Sequence, residues 1–114
     1  LHTNLNQSSR HIIDKQFIDD CKKSFCLINT ARGECVSNHD LIYGLESDKI
    51  IGAGLDVLEN ENKDFEGIAV DQNLDKLKKF ENVILTPHIA GWSKESKVKL
   101  AQITVSKIKE FLDL

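Results

Sequence analysis

Three short apolar runs, "FCLIN" (25–29), "IIGAGLDV" (50–57) and "VILTP" (83–87), are spaced through the chain with amphipathic stretches between them. Each is too short for a helix and carries apolar residues at consecutive positions, the pattern of a strand covered on both faces by helices. Residues 17–23, 37–49, 74–80 and 93–114 read as the helices. Asp14 and Ser37 are placed to cap the first two. The last helix carries Ala101, Val105, Ile108 and Leu112 as an apolar stripe at helical spacing. Strand and helix in strict alternation predict an α/β chain with a parallel sheet.

Composition narrows the function without defining it. The chain has 114 residues, 29% charged and 40% hydrophobic, the size and balance of one small globular unit. A net charge of −3 leaves no basic footprint for nucleic acid and no polybasic patch for a membrane surface. No apolar run approaches the ~20 residues of a spanning helix. The three cysteines, Cys21, Cys26 and Cys35, lack metal-ligand spacing, so no metal is expected. Reduced thiols suit a cytoplasmic protein.

In a parallel sheet, ligands bind beyond the carboxyl ends of the strands. Arg32, Asp56 and His88 stand at those ends, one after each apolar run, and so are expected to converge on one edge. His88 follows Pro87, which restricts the backbone, and has small neighbours in Ala90 and Gly91. An imidazole there suits acid-base chemistry near neutral pH, although a surface histidine in a loop would look the same. Arg32 offers a rigid donor fork for a carboxylate, with Gly33 allowing a sharp turn after it. Asp56, Glu59 and Glu61 read either as a solvated acidic loop or as the source of a carboxylate for the distal nitrogen of His88. Asp56 could instead accept from a carboxamide.

Three segments in this order, "LINTARG" (27–33), "GAGLDVLENE" (52–61) and "VILTPHIAGW" (83–92), resemble the signature segments of the D-isomer-specific 2-hydroxyacid dehydrogenases. The likeness covers nearly the whole chain. The opening "LHTNLNQSSRHIIDKQFI" is similar to a family segment near the cofactor, with Asn4 and Asn6 where the family usually has Pro and Thr. The resemblance implies that Arg32 binds the substrate carboxylate, His88 is the acid-base catalyst and Glu61 is its carboxylate partner. It places His2, Thr3, Thr30, Ala31, Asp56, Ala90 and Gly91 around the cofactor. It implies reversible hydride transfer between NAD(H) and a D-2-hydroxy acid or 2-keto acid. NADP stays open, and the wording around Trp92 is most similar to phosphoglycerate dehydrogenase-like members. The segment 62–73 is longer than in many members.

No G-x-G-x-x-G occurs; "GAG" at 52–54 lies within a strand. The chain therefore reads as an incomplete Rossmann-type parallel sheet, the second half of a nucleotide-binding domain with a long C-terminal helix. On this reading, residues 1–92 belong to the NAD-binding domain. Residues 93–114 form a helix returning toward a substrate domain the sequence does not contain. The isolated 114 residues are expected to turn over little, and the longer protein to be a homodimer. A dinucleotide-sensing, corepressor-like binding protein on the same fold is the alternative.

Overall fold

A computed structural model describes residues 1–59 and 72–113. Its elements are α1 (Lys15–Asp20), β1 (Phe25–Asn29), a 3-10 turn (Gly33–Cys35), α2 (Asn38–Glu46), β2 (Ile50–Leu55), α3 (Gln72–Leu77), β3 (Val83–Leu85) and α4 (Lys94–Phe111). The three strands pair in parallel in the order β1-β2-β3, so the α/β expectation holds. The two caps expected from sequence are made: Asp14 accepts from the Phe17 N–H and Ser37 from the Asp40 N–H. Ser93, not singled out from sequence, caps α4 by accepting from the Ser96 N–H.

Two strands end earlier than their apolar runs. β2 ends at Leu55, and the Asp56 side chain beyond it is engaged by the loop after β3. Pro87, with no N–H to give to a ladder, lies beyond the end of β3 at Leu85.

The core lies on one side of the sheet. Leu27, Ala53 and Leu55 point into it from the strands and meet Ile18, Leu41, Leu45 and Leu77 from α1, α2 and α3. A register shift between Phe25 and Cys26 lets Ile50 face inward as well, fully buried, while Ile51 is exposed.

The expectation of strands covered on both faces is corrected. Ile28 is 61% exposed and Ile84 68% exposed, and Cys26 is exposed beside them. The three helices with buried residues all pack on the opposite face, and α4 buries none of its residues. Its stripe of Ala101, Val105, Ile108 and Leu112 is present in the sequence but exposed in the structure. No helix among the described residues is long and apolar enough to cross a membrane.

Candidate active site

The sheet register sets Asn29, Leu55 and Leu85 side by side at the carboxyl edge. Two further bonds carry the alignment past the strands: the Asp56 N–H donates to the Asn29 carbonyl and the Thr86 N–H to the Leu55 carbonyl, both at 3.0 Å. Arg32, Asp56 and His88 therefore share one edge, as the strand pattern predicted.

The turn that presents Arg32 is held from inside. Asn29 is 1% exposed, and its carboxamide accepts from the Ala31 N–H and donates to the Arg32 carbonyl, both at 3.0 Å. A buried amide with both ends committed to one turn fixes that turn's height above the sheet. Arg32 itself is exposed, and one guanidinium nitrogen reaches the Ala31 carbonyl at 2.6 Å. Gly33 is not there for an unusual backbone angle, since no glycine among the described residues has positive φ. It is there because a Cβ would lie 1.9 Å from the Leu58 carbonyl oxygen. The Arg32 turn thus rests directly on the chain leaving β2.

Asp56 is buried at 5% exposure and clamps the loop after β3. Its Oδ1 accepts from the Thr86 hydroxyl at 2.5 Å and the Ile89 N–H at 2.9 Å, and its Oδ2 from the Ala90 N–H at 2.9 Å. Burial works against its charge. The bonds from Thr86, Ala90 and Ile89, with the nearby His88, outweigh it and hold the carboxyl below the usual carboxylate range. Among the described residues two donors reach Oδ1 and one reaches Oδ2, so Oδ2 is the better placed to accept from a carboxamide.

His88 has φ of 54°, the left-handed region that a branched carbon side chain avoids, and its N–H donates to the Asp56 carbonyl at 2.9 Å. Backbone held in that region at a strand end is the kind of stored strain found where a side chain must be aimed. Since the Asp56 clamp keeps it there, acidification has a definite effect. A carboxylate whose folded pKa is depressed contributes stability that is present above its unfolded value and lost as pH falls through its folded value. Amide exchange at Ile89 and Ala90 is therefore expected to lose protection on acidification below the ordinary carboxylate range, ahead of the β2 amides. Equal loss at both places would show that Asp56 is not the clamp.

Two hollows flank this edge. A polar cavity of about 420 Å³ is lined by His2, Thr3, Asn4, Leu5, Thr30, Ala31 and Arg32. A largely apolar one of about 240 Å³ runs over Ile28, Gly54, Ile84 and Ile89 and includes Thr30, Asp56 and Ala90. Thr30 lines both, so they adjoin. His2, Thr3, Thr30 and Ala31 are thereby grouped with Arg32, and Asp56 and Ala90 with the second hollow. Gly91 is exposed, with open space where a Cβ would be. Glu61, expected beside His88, lies outside the described residues, as does most of the segment 62–73.

Glu59 corrects the picture of a solvated acidic loop. It accepts from His11 Nε2 at 2.7 Å and from the Asn38 N–H at 3.1 Å. Asn6, standing where the family usually has Thr, caps its own turn by accepting from the N–H groups of Ser8 and Ser9. Among the described residues no cluster of three or more metal-ligating side chains forms.

Residues 1–90 match the family model described as "D-isomer specific 2-hydroxyacid dehydrogenase, NAD binding domain". An aromatic 2-oxoacid reductase of Clostridium sporogenes is 37% identical over 97% of this chain and 35% of its own length. A D-lactate dehydrogenase of Staphylococcus aureus is 35% identical over 90% of this chain and 32% of its own. The crystal structure of Aquifex aeolicus D-lactate dehydrogenase, complexed with NAD and lactic acid, superposes with a TM-score of 0.74. It is 37% identical and covers 99% of this chain and 36% of that one. The chain spans about a third of the length of the curated relatives it matches. With the family model covering most of its length, the chain belongs to the D-isomer-specific 2-hydroxyacid dehydrogenase family.

Proposed function

We propose that this chain carries the catalytic edge of an NAD-dependent oxidoreductase acting on D-2-hydroxy acids and their 2-keto acids. The observation that carries the reading is the convergence of Arg32, Asp56 and His88 beyond three adjacent parallel strands, next to a polar and an apolar hollow joined at Thr30. The paired hollows suit a nicotinamide riboside, with its ring against Thr30, Asp56, Ala90 and Gly91. His2, Thr3 and Ala31 would line its polar side. When bound, NADH supplies a hydride from C4 of the ring.

The residues of the chain do the rest. Arg32 holds the substrate carboxylate through its donor fork and polarises the adjacent carbonyl. His88, as imidazolium, gives its proton to the carbonyl oxygen while the carbonyl carbon takes the hydride. The product is the 2-hydroxy acid, with the imidazole neutral. Glu61 is read as the carboxylate partner that orients the His88 imidazole for the step. Oxidation runs through the same positions in reverse. Asp56 fixes His88 through the backbone and offers Oδ2 to the carboxamide of the ring.

Residues 1–92 are read as nucleotide-domain structure and 93–114 as a helix that packs on other parts of a longer polypeptide. That polypeptide is read as a cytoplasmic homodimer.

NADH oxidation by the protein as its gene encodes it, against a panel of 2-keto acids, tests the reading. Lactate-type and aromatic side chains, and the phosphorylated acid corresponding to 3-phosphoglycerate, belong in the panel. Turnover is expected, and Arg32→Ala is expected to weaken it on the order of 10²-fold, mostly through KM, by removing two charge-assisted hydrogen bonds. NADH binding with no turnover on any acid would replace this reading with a dinucleotide sensor.

A further inference from the structure

Glu59 has no place in the chemistry above, yet both of its carboxylate oxygens are engaged. One oxygen accepts from His11 Nε2 at 2.7 Å, and the other caps the N–H of Asn38, the first residue of α2. Its partner His11 lies 48 residues away in sequence and has φ of 50°. That left-handed backbone is further held by the His11 N–H, which donates to the Glu34 carbonyl at 2.8 Å. Glu34 follows Gly33, whose Cα abuts the Leu58 carbonyl next to Glu59 itself. The N-terminal segment, the Arg32 turn, the start of α2 and the exit from β2 are therefore joined around one carboxylate.

We propose that Glu59 is a positioning residue for substrate binding by Arg32. This inference rests on the reading of Arg32 as the carboxylate-binding group. The route is short. Glu59 holds the backbone at Leu58, and Leu58 is the surface on which Gly33 sits. The Arg32–Gly33 turn can neither sink toward β2 nor slide along it while that surface stays put. Asn29 holds the same turn from the strand side, so Arg32 is fixed from two directions. Displacing one of them shifts the guanidinium without removing it, and small misplacements of a binding group weaken the interactions it was placed to make. The Glu59 carboxylate is bonded to His11 and Asn38, away from the bonds that hold the loop after β3, so loss of its bridge moves substrate binding and leaves the proton-transfer loop in place.

The test is steady-state kinetics of Glu59→Ala, Glu59→Gln and His11→Ala in the protein as its gene encodes it. Dissociation constants for NADH and for oxamate, an unreactive 2-keto acid analogue, are measured on the same samples, with melting curves. Glu59→Ala is expected to raise KM for the 2-keto acid and weaken oxamate binding about tenfold, with kcat and NADH affinity little changed. Glu59→Gln keeps an acceptor for Asn38 and a polar group for His11, and is expected to restore most of the loss. His11→Ala is expected to shift KM in the same direction by less, and it keeps the proposal testable if Glu59→Ala does not fold. Unchanged KM in His11→Ala and Glu59→Ala overturns the proposal, as does a loss of kcat that follows melting alone. Absence of both turnover and oxamate binding in the unmutated protein overturns the reading of Arg32, and this inference with it.

Discussion

Replacing His88 by alanine is expected to lower kcat for 2-keto acid reduction by about 10²- to 10⁴-fold, the usual contribution of a positioned acid-base group. The hydrogen bonds that Asp56 accepts from this loop come from backbone and from Thr86: the His88, Ile89 and Ala90 N–H groups and the Thr86 hydroxyl all donate to it. Replacing the imidazole leaves those four donors in place. The remaining complication is the φ of 54°, which alanine tolerates at a cost of about 1–2 kcal/mol. His88→Asn answers it, because asparagine accepts left-handed backbone more readily and cannot serve as the acid. Both variants are expected to bind NADH as the unmutated protein does and to lose kcat together. If His88→Asn retained kcat within a few-fold, the proton would come from elsewhere and His88 would be a loop residue under strain.

That edge was legible in the sequence because it depends on local pattern. Apolar runs of strand length, bounded by polar and small residues, locate β1, β2 and β3. Once the sheet is parallel, the residues after each run must share an edge. The side chains that hold the edge were less legible, for two different reasons. Asn29 carried a signal, since an asparagine bonding the N–H two residues on is a recognised turn device, but in "LINTARG" it reads equally as one more strand position. Glu59 and His11 carried none, because a contact across 48 residues has no local period. The one-sided core is a third case. Consecutive apolar residues show that both faces of β1 are apolar, and they do not say which helix covers which face. Ile28 and Ile84, in one hollow with Gly54 and Asp56, share the open side with the proposed ring site, so their hydrophobicity bears on binding as well as on packing.

Gly33→Ala is expected to destabilise the fold by about 3 kcal/mol, at the upper end of the range for overpacked positions. For a chain of this size that corresponds to a fall in Tm on the order of 10–20 °C. The cause is contact, not conformation. Gly33 has an ordinary backbone angle, so alanine meets no torsional penalty there. Its Cβ would lie 1.9 Å from Leu58 O, 2.0 Å from Leu58 C and 2.5 Å from Glu59 N. All three are backbone atoms of the segment leaving β2, which no side-chain rotation can move aside. Relief requires the Arg32 turn and the Leu58 segment to separate. Separation strains the 3-10 bonds from Cys35 to Arg32 and from Val36 to Gly33, and it stretches the bridge from Glu59 to His11. Gly91→Ala is the internal control, because nothing lies within 4 Å of its Cβ position and its φ is not positive. Thermal melts of the two variants side by side separate steric overlap from the general effect of losing a glycine, which on its own stabilises slightly through the unfolded chain. A Gly33→Ala melt as high as that of Gly91→Ala would mean that the Leu58 segment yields freely. It could then not be the surface that sets the height of Arg32.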